Sequence, residues 1–151
     1  MTKSLAHRAK ITRSRSTRAS PTAPGPPVAG GFAVVGIGAS AGGLDACKKL
    51  MDALPSGTGM AFILIQHLDP THESMMVELL AIHTAMSVHQ ATDGMLVEPD
   101  HLYVIPPGTY LSVAGGALHL SKPRARHGAR LPFDFLLHSL AQAYAERAIC
   151  V

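Results

Sequence analysis

A short β-rich run, residues 32–37, passes directly into Gly38-Ala39-Ser40-Ala41-Gly42-Gly43, and residues 44–53 then read as a helix. Strand, glycine-rich turn and helix in that order restrict a chain to the units from which parallel sheets are built. Ser40 is thereby expected on a tight turn at the carboxyl end of a strand. Gly38 and Gly42 are expected to let the backbone turn sharply and to let a ligand come close. N–H groups at the helix start, unpaired by the helix itself, favour a developing negative charge beside the serine. A second apolar run, 60–66, ends at Gln66-His67. If the two runs are neighbouring parallel strands, Ser40 and His67 meet at one sheet edge, where open α/β folds place their sites.

The rest of the chain extends the pattern. A second helix is expected over 73–83, capped near Thr71 or His72 and preceded by Pro70, which stops the strand before it. Strand-like pieces follow at 87–91, 102–105, 110–113 and 117–120, the last two flanking Gly115-Gly116, a hairpin turn. This middle region reads as an antiparallel addition to the parallel core. Residues 121–131 are basic and lack apolar period, as an exposed loop does. A helix over 132–146 carries Phe133, Leu136, Leu137 and Leu140 on one face. The chain closes on Ala148-Ile149-Cys150-Val151, which reads as the opening of a further buried strand without a turn or a partner. The expected fold is a three-layer α/β/α domain with a mostly parallel sheet and an antiparallel hairpin, cut short before its last strands.

With 151 residues the chain suffices for one domain with a real core. Its charge is unevenly spread. Residues 1–31 hold six basic residues and no acid, against seven basic and ten acidic residues in the remaining 120. That Arg-, Ser- and Pro-rich start reads as a disordered tail ahead of a folded body, 32–151. Contact with nucleic acid or an acidic membrane surface, or an organelle transit peptide, are functional readings of it. A solvated leader is the plainer one. No apolar run approaches the roughly 20 residues of a membrane span, and neither membrane insertion nor nucleic-acid binding is expected. Cys47 and Cys150 read as two buried, reduced thiols.

Two short motifs overlap on the glycine loop. Gly36-x-Gly38-x-x-Ala41 matches the dinucleotide fingerprint, but that pattern wants an acidic residue ending the next strand, and Gln66-His67 stands there. Gly38-x-Ser40-x-Gly42 matches a nucleophile elbow, yet in α/β-hydrolases the histidine comes far downstream, not on the next strand. His67 and His72, with Asp69 near, suggest a metal site that no helical or ribbon spacing supports. The seven methionines read as packing. No cofactor and no metal are expected.

A larger set of motifs resembles one family. The Gly38–Gly43 loop after its strand and Gln66-His67-Leu68-Asp69-Pro70 look like the catalytic domain of the bacterial chemotaxis protein-glutamate methylesterases. Ala91-Thr92-Asp93-Gly94 through Pro99, Leu102-Tyr103-Val104-Ile105-Pro106-Pro107-Gly108, Leu118-His119-Leu120, and Leu131-Pro132-Phe133-Asp134 through Ala141 are similar to further stretches of that family, in the same order. The resemblance implies a Ser–His–Asp triad in that chain order, with Ser40 as nucleophile and His67 as general base. The family's aspartate follows one more strand, which 148–151 would open, so this chain is expected to lack the acid and to be inactive by itself. Asp69 and Asp134 match other family positions. Ala41 stands where many members have a hydroxyl residue. A phosphorelay receiver domain precedes the esterase in regulated members; here only the basic tail does, which fits better with members fused to a methyltransferase.

The resemblance further implies a cytoplasmic hydrolase that removes methyl esters from glutamates of methyl-accepting chemotaxis receptors, releases methanol, and also deamidates glutamine. The alternative is a non-catalytic module that binds receptors without turnover; a dinucleotide-binding domain ranks below it.

Overall fold

The computed structural model describes residues 31–66, 75–122 and 131–151. The tail up to residue 30, His67 with Asp69 and the cap residues around Pro70, and most of the basic loop lie outside the described residues.

Five strands form one parallel sheet in the order β3-β4-β2-β1-β7: β1 (Val34–Ala39), β2 (Ala61–Gln66), β3 (Ser87–Gln90), β4 (His101–Val104) and β7 (Ala148–Cys150). Strands β5 (Tyr110–Ala114) and β6 (Ala117–Ser121) make a separate antiparallel hairpin. Gly115 and Gly116 turn it with φ of 59° and 80°, the left-handed values that tight hairpin turns require. Helices α1 (Leu44–Ala53) and α2 (Met76–Ala81) cover one face of the sheet; α3 (Pro132–Tyr144) and the hairpin cover the other.

Strand alternation sorts the core into these two layers. Ile63, Ile65 and Tyr103 pack with Leu111 and Leu118 of the hairpin and with Leu136, Leu140 and Tyr144 of α3. Val35, Ile37, Phe62, Leu64 and Leu102 pack with Cys47, Met51, Met76 and Leu80 of α1 and α2. Alternate residues of a strand point to opposite faces, and β2 is buried along its whole length because both faces are covered. Each fully buried Leu contributes about 1.5–3 kcal/mol.

Only part of the middle region is antiparallel. β3 and β4 are parallel members of the main sheet, Ser87 opposite His101 and Gln90 opposite Val104. Parallel neighbours are normally joined through a helix; here residues 91–100 cross as a helix-free strap. The strap finds its backbone partners in the hairpin: Gly94 N–H donates to Leu118 O, Leu118 N–H to Met95 O, and Val97 N–H to Gly116 O. The buried Tyr103 hydroxyl fastens it, donating to Leu96 O at 2.9 Å and accepting from Glu98 N–H at 3.0 Å. β7 also differs from expectation, since it pairs with β1, Val34 opposite Ala148. It lies at the sheet edge, so Cys150 is exposed while Cys47 is buried in α1.

Candidate active site at the carboxyl ends of β1 and β2

β1 and β2 run side by side in parallel register from Val34 opposite Ala61 to Ala39 opposite Gln66. Ser40 and His67 are the next residues along each chain segment. Ser40 is exposed, with extended backbone (φ −76°, ψ 174°), and precedes a single 3-10 turn, Ala41–Gly43, that leads into α1. Gly43 N–H closes that turn on Ser40 O at 2.9 Å. The backbone is relaxed, unlike the strained elbow of α/β-hydrolases. The Ser40 hydroxyl makes no capping bond to the turn that follows. His67 lies outside the described residues.

Ser40 lines a cleft of about 610 Å³ over the strand ends. One lip is the turn Pro106-Pro107-Gly108-Thr109, held by the Thr109 hydroxyl donating to Pro106 O at 2.8 Å. The other is Leu131-Pro132-Phe133 at the start of α3. Tyr110, whose ring lies 5.3 Å from that of Phe135, forms the far wall. Gln66 lines the cleft too; it is the one buried polar residue among those described, 6 % exposed, and its Oε1 has no hydrogen-bond partner. None of the described carboxylates lines this cleft.

Gly36 and Gly38 have a packing role that the sequence did not announce. A Cβ on Gly38 would stand 2.7 Å from the Phe133 ring, and one on Gly36 would stand 2.9 Å from a Leu140 methyl. Both are bare so that α3 can press onto β1 beside the site, and Gly38 contacts a packed ring where the dinucleotide motif needs a pyrophosphate. Gly42 has open space around its Cβ position, compatible with ligand approach. Phe133, Leu131 and Tyr110 join the site through tertiary packing; the stretches holding Pro106-Pro107-Gly108 and Leu131-Pro132-Phe133 resembled the family in sequence without being assigned a role at the site. Next to Ser40, burial raises the Cys47 thiol above its ordinary 9.0.

The metal reading rested on His67, His72 and Asp69, all outside the described residues. Among the described residues no helix is long and apolar enough to cross a membrane.

A family model for CheB methylesterase matches residues 35–151. The chain is similar to a "Protein-glutamate methylesterase/protein-glutamine glutaminase" of Salmonella typhi, 32 % identical over 152 residues, covering 97 % of this chain and 43 % of that protein. A protein of the same name from Syntrophus aciditrophicus is 32 % identical over 145 residues, covering 91 % of this chain and 41 % of that one. The fold is similar to the crystal structure of the Thermotoga maritima CheB methylesterase catalytic domain, with TM-score 0.70 and 26 % identity, over 79 % of this chain and 65 % of that one. The chain thus spans about two fifths of the length of these two curated relatives. With a family match that runs from the first strand of the sheet to Val151, the chain belongs to the CheB methylesterase family.

Proposed function

We propose that this chain forms the nucleophile-bearing part of a protein-glutamate methylesterase acting on methylated glutamates of chemotaxis receptors. The observation that carries this is the exposed Ser40 in the lining of the cleft, one residue beyond the Ala39–Gln66 pair. In this reading His67 takes the Ser40 proton as the hydroxyl attacks the ester carbonyl. Backbone N–H groups of the turn into α1 stabilise the oxyanion. Methanol leaves with the proton from His67, and water then frees the glutamate and the serine. The name its relatives carry adds glutamine deamidation, with ammonia as the leaving group. The folded body over 32–151 preceded by a basic segment over 1–31, a cytoplasmic location and a fused or partner methyltransferase belong to the same proposal.

The test is methanol release from methylated receptor, together with labelling of Ser40 by an alkyl phosphonate. Ser40→Ala is expected to abolish both while leaving the fold intact. Because no described carboxylate lines the cleft, turnover by the chain alone is expected to lie about 10⁴-fold below that of a family catalytic domain with a triad acid. Turnover equal to such a domain removes the missing-acid argument, and turnover that survives Ser40→Ala removes Ser40. A cleft lined by none of the described carboxylates also suits a second reading, a receptor-binding module without turnover. Binding of receptor with no phosphonate labelling supports it.

A further inference from the structure

Leu131 breaks a local rule at the lip of the cleft. It holds the N-cap of α3 and makes no side-chain capping bond, where serine, aspartate or asparagine would pair with the free N–H groups of the helix start. It is also 67 % exposed, and hydrocarbon left in water contributes nothing to folding. A residue that serves neither its helix nor the core, placed in the same cleft as an exposed serine, points to a ligand, because departures from local preference gather at functional sites. The apolar wall continues inward from it. Phe133 lies over bare Gly38, two residues before Ser40, and Ile65 and Ile105 line the cleft at 4 % and 3 % exposure. The N–H groups at the starts of α1 and α3 suit a carbonyl oxygen, while the side chains around them are mostly hydrocarbon. At about 610 Å³ the cleft has the size of a small-molecule site, which runs from roughly 300 to 1,000 Å³.

We propose that the cleft gives this protein a second activity, hydrolysis of small uncharged esters with an aliphatic acyl group, whose hydrocarbon lies along Phe133 and Leu131 while its carbonyl stands at Ser40. This rests on the serine-esterase reading of the same site. The Ser40 oxygen bonds to the acyl carbon as the bond from that carbon to the alcohol oxygen breaks. The Ser40 proton passes through the general base to the leaving alcohol, and water then releases the carboxylic acid and restores the serine. Each methylene that leaves water for this wall favours the bound state by about twofold to fourfold. Leucine at the head of α3 thus gives up helix stability and supplies apolar surface to the substrate.

The experiment uses the full chain and the p-nitrophenyl esters of acetate, butyrate and hexanoate. It follows p-nitrophenolate release at equal, low ester concentration after subtraction of release in buffer; this leaving group departs as the phenolate. The hexanoate is expected to react at least about tenfold faster than the acetate, with the butyrate between them. Leu131→Asp installs a favoured cap residue, so its melting temperature is expected to rise while its hexanoate-to-acetate ratio falls at least about threefold. A flat chain-length series in Ser40-dependent release overturns the proposal. So does a ratio that Leu131→Asp leaves unchanged, or a melting temperature that Leu131→Asp lowers, which would make the leucine a structural residue of α3. Failure of the underlying site reading looks different: release that survives Ser40→Ala, or no release from any of the three esters, removes the serine and both readings with it.

Discussion

Gly38 shows how much a single missing Cβ decides. Its neighbour Phe133 meets it with a ring, stiffer than the end of a flexible side chain. Gly38→Ala is expected to cost about 1–3 kcal/mol in urea unfolding by overpacking, and Phe133→Leu in the same chain to recover part of it. A neutral Gly38→Ala would show that α3 does not depend on this contact. Two buried tyrosines make a matching contrast. The Tyr103 hydroxyl carries two strap hydrogen bonds, whereas the Tyr144 hydroxyl is buried with no partner. Tyr103→Phe should destabilise by about 1–3 kcal/mol, and Tyr144→Phe should be neutral or stabilising. Equal effects in thermal melts would contradict this assignment. Gly38 was legible in the sequence as an unusual glycine but not as a packing glycine. The residue that demands it lies on a helix far along the chain, and no local pattern reports it.

Among the elements, the strap and the loop before β2 depend on Asp100. Its Oδ1 accepts from Gly59 N–H at 2.9 Å and from the Thr58 hydroxyl at 3.2 Å, while its backbone holds φ of 59°. Aspartate and asparagine tolerate that left-handed conformation better than other side chains. Asp100→Ala is therefore expected to lose about 1–3 kcal/mol and Asp100→Asn clearly less, since an oxygen acceptor remains. Similar losses in the two variants, measured by urea unfolding, would move the cause elsewhere. The first helix was legible to the residue over 44–53, as were both central strands within two residues, because period and punctuation are local. The parallel pairing of β3 with β4 was not. Its crossover is a helix-free strap whose hydrogen bonds go to the hairpin, and no local signal distinguishes that from a meander.

At the scale of the whole molecule, three buried acids set the response to alkali. Burial raises Cys47 above 9.0 and Tyr103 and Tyr144 above 10.0. Each holds its proton more tightly folded than unfolded, so the folded state binds more protons in this range. The associated stability is fully present below pH 9.0, the ordinary value for the thiol, and is lost as pH rises through the raised values. Urea midpoints should be flat with respect to these groups up to that point and fall above it, and Tyr144→Phe should flatten the upper part of the fall. A midpoint that rises with pH above 10.0, the ordinary tyrosine value, would reverse the argument. The site as a whole was half legible. Ser40 stands on the turn where the strand–glycine–helix pattern puts it, while the cleft walls come from three separate segments that only the fold brings together.

The last paired strand has a consequence for the turn that carries Ser40. Val151 is bonded on both sides to β1, its N–H to Gly36 O and its carbonyl to Gly38 N–H. A three-residue edge strand with Ile149 and Val151 41 % and 60 % exposed has little burial to hold it, so it frays ahead of the central ladder. Each fraying event frees the amide of Gly38, two residues before Ser40. What settles on the outer side of β7 therefore bears on how firmly the turn that carries Ser40 is anchored, so an event at the sheet's margin is transmitted to the cleft.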